Sequence, residues 1–468
     1  MLLSRFALRG IMLEELLARP ESKTVEFKEN TLSIQKIVQT IIAFANTAGG
    51  TLIVGIKGTT KEVVGVENIL QDEERVANAV ADSISPSLLP SLQLHSWRKR
   101  DVLIVTVPHS FGPFYLKAKG ENDGVYVRLG STNRVADASL ISEIKRLKEH
   151  TSFDQLPEMH ATFDDLNFEL ARELFSALNK PFTKSTAKSL EMLVEYQESQ
   201  YPTKGALLLF GKDRNRLFPD PLIRLARFKG TSKIEIIDQA EIKSPLPLAI
   251  DEMLAFIQRN TFLGAVIHAA QRENIPQYPP AAVRETVINA ILHTDYSTKR
   301  SPIQVAIFDD RIEITNPGPL PFGLSLETAL SGVSQLRNKV LARVFRELQL
   351  IEQWGSGLNR IRDLCQQQNI NAPKFEELDH FFRVTLYPRT AKIVLSQSWH
   401  IPIVEYIQQH GKISAMEAEK LWKLTRRTAT NRLKKMCQEG LLVELSTGPF
   451  DPYKTFILTE PGNQPRKT

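Results

Sequence analysis

The chain has 468 residues, 42% hydrophobic and 24% charged, which suits roughly three globular domains with cores of their own. Its two cysteines, Cys365 and Cys437, exclude a disulfide scaffold and a four-cysteine zinc site, and no apolar run approaches the about 20 residues of a membrane span. The net charge is +6, and Lys392 to Thr468 carry 12 Lys+Arg against 7 Asp+Glu, so nearly all the excess lies in the last sixth, as in a nucleic-acid-binding tail domain. The opening MLLSRFALRG is short and interrupted by Arg5 and Arg9, unlike a signal peptide. The expected compartment is the cytoplasm.

Residues 1–155 read as one α+β domain. Ile11 to Leu17 predicts a short helix stopped before Pro20. Val25 and Phe27 alternate with Glu26 and Lys28, the pattern of a half-buried strand. Ile34, Ile37, Val38, Ile41, Ile42 and Ala45 mark a helix that Asn46 and Gly49-Gly50 end. TLIVGI, VVGVEN, LQLHSW, DVLIVTVP and GVYVRLG read as strands, with a helix from Glu73 to Ser83.

The set ESKTVEFK, AFANTAGGTLIVGI and GVYVRLGST resembles the Schlafen/AlbA-type domain over most of residues 14–150. That resemblance implies contact with DNA or RNA. Some Schlafen members are metal-dependent ribonucleases using two glutamates and an aspartate, and the glutamates map onto Glu21 and Glu26. Paired carboxylates hold a hard cation and activate water. No matching third carboxylate follows, because TLIVGIKG places Lys57 where an acid would help. The competing reading pairs Glu21 and Glu26 with Lys23 and Lys28. Lys117, Lys119, Arg128 and Arg134 cluster around the last strand and suit phosphate contact. Tyr115 and Tyr126 suit either base stacking on single strands or the core.

Residues 156–392 are expected to form a second domain. Leu166 to Leu178, Thr186 to Tyr196 and Leu246 to Ile257 read as helices, and GALLLFGKD, IRLARFKG and EIIDQAEI as strands. GALLLFGKD is not a phosphate-binding P-loop: five residues separate its glycines and no Ser or Thr follows Lys212. Pro279-Pro280 opens a helix in which Glu285 and Asn289 are four apart on one face, with His293 one turn on. A hairpin turning at Asp309-Asp310, the loop NPGPLP, Arg337-Asn338 and GSGLNRI follow in that order. Gly355 and Gly357 let backbone approach a ligand at a helix start, which suits phosphate.

This order resembles the GHKL ATPase superfamily, and more closely the C-terminal ATP-binding domain of RecG-like bacterial proteins, over about residues 160–390. The resemblance implies an α/β sandwich that binds ATP with Mg²⁺. Asn289 then holds the metal, Glu285 is the base of a weak ATPase, and Gly355, Ser356 and Gly357 form the phosphate loop. His293, Asn316, Gly318, Arg337 and Asn338 complete the expected nucleotide contacts. The family's adenine-reading Asp-x-Gly-x-Gly box stands here as Asn316-Pro317-Gly318-Pro319, without the aspartate.

Residues 393–468 predict three helices and a two-stranded wing, a winged helix-turn-helix. Thr390 to Ser398 reads as closing strand and linker, Ile401 to His410 and Ile413 to Trp422 as two helices, and Ser414 with Glu417 as a capping box. A third helix begins at Thr425, with Ala429, Leu433, Met436 and Leu441 inward. Arg426, Arg427, Asn431, Arg432 and Lys435 face outward, where a recognition helix meets base edges and phosphates. The wing turn falls near Gly448 to Pro452. A winged helix also serves protein docking.

The expected whole is an α+β multidomain protein that binds nucleic acid and answers to ATP, a regulator of transcription. Duplex DNA meets the winged helix, RNA or single-stranded DNA the first domain, and a homodimer matches two-fold sites. The alternative is a metal-dependent endonuclease acting on foreign nucleic acid.

Overall fold

The computed structural model describes residues 13–213, 222–261, 263–268, 271–298, 301–351, 357–389, 398–438, 441–446, 451 and 454–458. The expected strand and linker over 390–397 and most of the wing turn fall outside them. Two compact units form, Met1–Pro388 and Arg389–Thr468. No helix among the described residues is long and apolar enough to cross a membrane.

The first unit begins with a four-stranded sheet ordered Val25–Lys28, Gly50–Val54, Arg100–Val107, Ser91–Trp97. The first two strands run parallel, with Val25 opposite Thr51. A parallel pair needs a crossover, and the helix Ile34–Asn46 supplies it. Its buried Ile37, Val38, Ile41 and Ile42 pack on Leu52, Val54, Leu103 and Val105 of the sheet. Gly49 ends the crossover at φ 73°, where a Cβ would stand 2.8 Å from the His109 amide nitrogen.

The same unit continues into a six-stranded sheet ordered Ile236–Ile242, Ile223–Phe228, Ile303–Ile307, Ile312–Pro317, Phe381–Leu386, Lys374–Leu378. Only Ile223–Phe228 and Ile303–Ile307 pair in parallel. The helices Leu246–Arg259, Pro280–His293, Lys339–Glu347 and Gly357–Gln367 share one apolar core with it. The architecture is mixed α+β and multidomain, as composition and periodicity predict.

Three elements differ from the sequence expectation. VVGVEN is strand only at Val63, the end of the short strand Glu62–Val63. GALLLF is a helix, Lys204–Phe210, not a strand. Thr203 caps it, accepting from the Ala206 amide at 3.2 Å. All residues from Gly205 to Phe210 are buried, and a helix enclosed on every side shows no period in its sequence. Thr186 to Tyr196 is not one helix. The helix Lys184–Ser189 stops, Glu191 turns at φ 55°, and Leu193–Tyr196 pairs with Ser199–Pro202. Gln197 and Glu198, both at positive φ, make that two-residue hairpin turn.

The second unit packs the helices Ile401–His410, Ala415–Trp422 and Arg426–Gln438 on a sheet ordered Ile413–Ser414, Thr455–Leu458, Leu442–Leu445. Ile403, Ile407, Ala418, Leu433, Met436 and Phe456 form its core. Ser414 and Glu417 form the capping box.

Asp154 ties the segment between the two sheets to the larger core. Its fully buried carboxylate accepts from Ser152 Oγ at 2.5 Å and from the Lys339 and Leu341 amides at 3.0 and 2.9 Å. It thus satisfies free N–H groups at the start of Lys339–Glu347. Asp154→Ala leaves those amides buried and unanswered, so urea unfolding of the first unit's transition should shift by about 1–3 kcal/mol. Asp154→Asn keeps one acceptor and should lose less.

Candidate functional site

A cleft of about 1130 Å³, part of it open to solvent, lies between the Pro280–His293 helix, the Ile312–Pro317 strand, the loop after it and the start of Gly357–Gln367. Glu285, Asn289 and His293 share its lining because they recur at helical spacing. Asn289 Nδ2 donates to Glu285 Oε1 at 3.3 Å. A Cβ on Gly357 would stand 2.6 Å from Asn289 Nδ2 and 3.1 Å from Glu285 Oε1. The missing side chain at Gly357 lets this helix backbone come close to the pair; a larger residue would have to displace the ends of both side chains.

The half-buried His293 imidazole is pushed down to about 4 by burial and by the nearby Arg337 charge, so it is neutral at pH 7. Asn316, buried on the adjacent strand, donates from Nδ2 to the Pro317 carbonyl at 3.2 Å. Its oxygen accepts no hydrogen bond among the described residues. Ile314, Leu320, Phe382 and Val384 make an apolar wall opposite the polar end. An apolar slot with few convergent polar groups suits a flat ring carrying a charged tail.

Three expected contacts stand behind the cleft and not in its lining. Gly318, at φ 93°, makes room for Arg337, whose Nη1 would lie 2.3 Å from a Cβ there. Arg337 donates from Nη2 to the Pro319 carbonyl at 2.8 Å and faces Asp295 at 3.6 Å. Asn338 donates to the Leu292 and Thr294 carbonyls, each at 2.8 Å, and so closes the end of the Pro280–His293 helix. Gly355 and Ser356 lie outside the described residues. Sequence reading missed Arg360, which lines the cleft one turn into the Gly357 helix, and the apolar Leu324, Val333 and Ile351. Arg360 was within the GSGLNRI motif. The apolar three carry no pattern that separates lining from core.

On the strand Tyr126–Leu129, which pairs with Thr132–Val135, Arg128 is corrected from a phosphate contact to a buried structural residue. Its Nη2 meets Glu26 Oε2 at 3.0 Å and the Ser22 carbonyl at 2.6 Å, and Nη1 donates to Asn133 Oδ1 at 2.9 Å. It also stacks over Phe44, 5.0 Å from the ring centre. Burial lowers its pKa while Glu26 opposes the shift. The second oxygen of Glu26 pairs with Lys28. Glu21 accepts from the Phe27 amide at 3.2 Å. Both Glu26 oxygens are thus neutralised by cations, and no group of three acids, histidines or cysteines is placed to hold a metal among the described residues. Tyr126 is buried and belongs to the core, whereas Arg134 is exposed.

In the second unit, Arg426, Arg427, Asn431 and Lys435 are exposed on the third helix. Arg432 is half-buried, lying 4.9 Å over Trp399 and 5.6 Å over Trp422, so it packs the unit as a cation on aromatic faces.

Known proteins resemble parts of this chain. Residues 21–137 match the family described as Schlafen, AlbA_2, and residues 300–386 match "Putative ATP-dependent DNA helicase recG C-terminal". The second match takes in Asn316 and Gly357, while Glu285 and Asn289 precede it. The DIP2311 protein from Corynebacterium diphtheriae is 20% identical, covering 95% of this chain and 96% of that one at a TM-score of 0.43. The N-terminal domain of a RecG-related protein from Nitrosomonas europaea is 29% identical over 27% of this chain and 92% of its own, at a TM-score of 0.22. One stretch of the chain is thus similar to the Schlafen, AlbA_2 family and a second, separate stretch to the recG C-terminal family.

Proposed function

We propose that the protein is a nucleic-acid-binding regulator of transcription whose cleft binds ATP with Mg²⁺ as a conformational signal. The observation that carries this reading is the Gly357 helix start pressed against the Asn289–Glu285 pair at the polar end of an apolar cleft. Mg²⁺ keeps several waters and takes phosphate oxygens, so it needs few protein donors. Asn289 would hold it through its amide oxygen, with Glu285 alongside, and the metal would supply charge neutralisation of the phosphates. Glu285 is also the residue placed to take a proton from water, should slow hydrolysis occur. The neutral His293 offers a hydrogen bond without repelling the metal.

The functional parts follow residues 1–155, 156–392 and 393–468. Three helices with a three-stranded sheet support a winged helix in the last part, acting as a homodimer on duplex DNA in the cytoplasm. Arg426, Arg427 and Asn431 lead its contact, with Lys435 behind them. The first part meets RNA or single-stranded DNA through exposed cations such as Arg134. The nuclease alternative has less support, because both Glu26 oxygens are paired with cations, Arg128 and Lys28.

Titration of the full chain with ATP and Mg²⁺ should give saturable binding that Asn289→Ala weakens about tenfold or more, one lost interaction of about 1.4 kcal/mol. Equal affinity in both proteins, or binding in neither, would overturn the reading. Arg426→Ala with Arg427→Ala should weaken duplex DNA binding and flatten the plot of log affinity against log salt by about two phosphate contacts. An unchanged slope means that this unit docks protein instead.

His293 also sets an acid limit. Its imidazole takes a proton at 6.5 in the unfolded chain and near 4 in the fold, so the unfolded state binds the extra proton between those values. Stability therefore falls as pH drops from 6.5 toward 4, by up to about 3 kcal/mol, reduced by the water in the cleft. Thermal unfolding of His293→Gln should lose that slope between pH 7 and 5.

A further inference from the structure

The loop after the Ile312–Pro317 strand faces two ways. Pro319, Leu320, Pro321 and Leu324 line the cleft. Phe322, between them, turns into an apolar socket formed by Val125, Val127, Ala136, Ile141 and Ile144, all from the first 150 residues. Beside it the Gly323 amide donates to the Thr47 carbonyl at 2.5 Å. Gly323 sits at φ 90°, where a Cβ would stand 2.8 Å from the His109 ring.

Two polar bridges run from the same loop to the same side. Glu377 Oε1 accepts from the Leu320 amide at 3.2 Å and from Lys23 Nζ at 2.6 Å, a pair only 20% and 14% exposed. Arg337 holds the Pro319 carbonyl at 2.8 Å and faces Glu143 at 3.5 Å, on the helix Ala138–Lys148. Burial raises the pKa of Glu143, with Arg337 opposing, so this carboxylate depends on its partner. Simple packing of two bodies would bury apolar side chains anywhere on their faces. Arg19–Glu327 and the Lys339 contact with the His150 carbonyl also join the two parts, but the Phe322 socket and the two polar bridges converge on the loop that lines the cleft.

We propose that the first domain sets the shape of the cleft, with Lys23, Glu143 and the Phe322 socket as positioning elements for a nucleoside triphosphate bound there. This rests on the nucleotide reading of the cleft. It also assigns Lys23, within the ESKTVEFK motif, to holding the cleft loop. Linkage is reciprocal: a ligand that favours one loop position must favour the matching state of the first domain by the same factor.

The test uses the full chain, a fluorescent ATP analogue with Mg²⁺, and the variants Lys23→Met, Lys23→Arg, Glu143→Gln and Phe322→Ala. Lys23→Met and Glu143→Gln should each weaken binding about fivefold or more, the lower end of typical coupling, and Lys23→Arg should restore it. ATP with Mg²⁺ should slow backbone hydrogen exchange in 21–28 and 138–148 of the wild type. Thermal unfolding checks the variants; if Phe322→Ala does not fold, the two polar variants decide. Wild-type binding with unchanged affinity in both polar variants and unchanged exchange in 138–148 overturns this proposal alone. No binding by the wild type removes the nucleotide reading, and this proposal with it.

Discussion

The Pro280–His293 helix is enclosed by apolar neighbours on most of its surface, so each polar group it carries must be answered locally. Ala282, Val283, Thr286, Val287, Ile288, Ala290, Ile291 and Leu292 are all buried. Thr286 donates back to the Ala282 carbonyl at 2.7 Å, and Arg284 to Leu350 at 2.9 Å. The carbonyls at its end go to Asn338. Asn338 in turn immediately precedes the Lys339–Glu347 helix, whose first amides go to Asp154. Satisfying one buried helix end thus fixes the start of the next, and the polar groups left over, Glu285, Asn289 and His293, collect where the core opens.

Much of this was legible in the residues. The i, i+4 spacing of Glu285 and Asn289 put them on one face, and alternation in VEFK and the apolar TLIVGI marked sheet strands. What was hidden had a physical cause in each case. GALLLF carries no period because all its sides are buried. Arg128 looked like a surface cation because its partner, Glu26, lies 102 residues away and no local pattern announces the pair. Asn338 stands beside Arg337 in a polar pair, and nothing in that dipeptide shows that its amide faces carbonyls 44 and 46 residues earlier.

The Glu26–Arg128 pair also explains how one motif can serve a different end. A buried carboxylate needs compensation, and two cations provide it as fully as a metal would. Removing either partner strands the other, and the pair joins the first strand, Val25–Lys28, to Tyr126–Leu129. The third helix of the second unit divides its cations in a similar way. Arg432 is committed to Trp399 and Trp422, whereas Arg426 and Arg427 remain at the surface.

The aromatic seat of Arg432 has an optical consequence. Trp399 and Trp422 meet edge to face with ring centres 5.5 Å apart, and Trp422 Nε1 donates to the Trp399 carbonyl at 2.6 Å. They are two of only four tryptophans in the chain; the others are Trp97 and Trp354. Half of the chain's indoles therefore lie beneath one guanidinium in the second unit. A ligand on the third helix of the second unit has this native chromophore pair near it, so the unlabelled protein carries its own reporter.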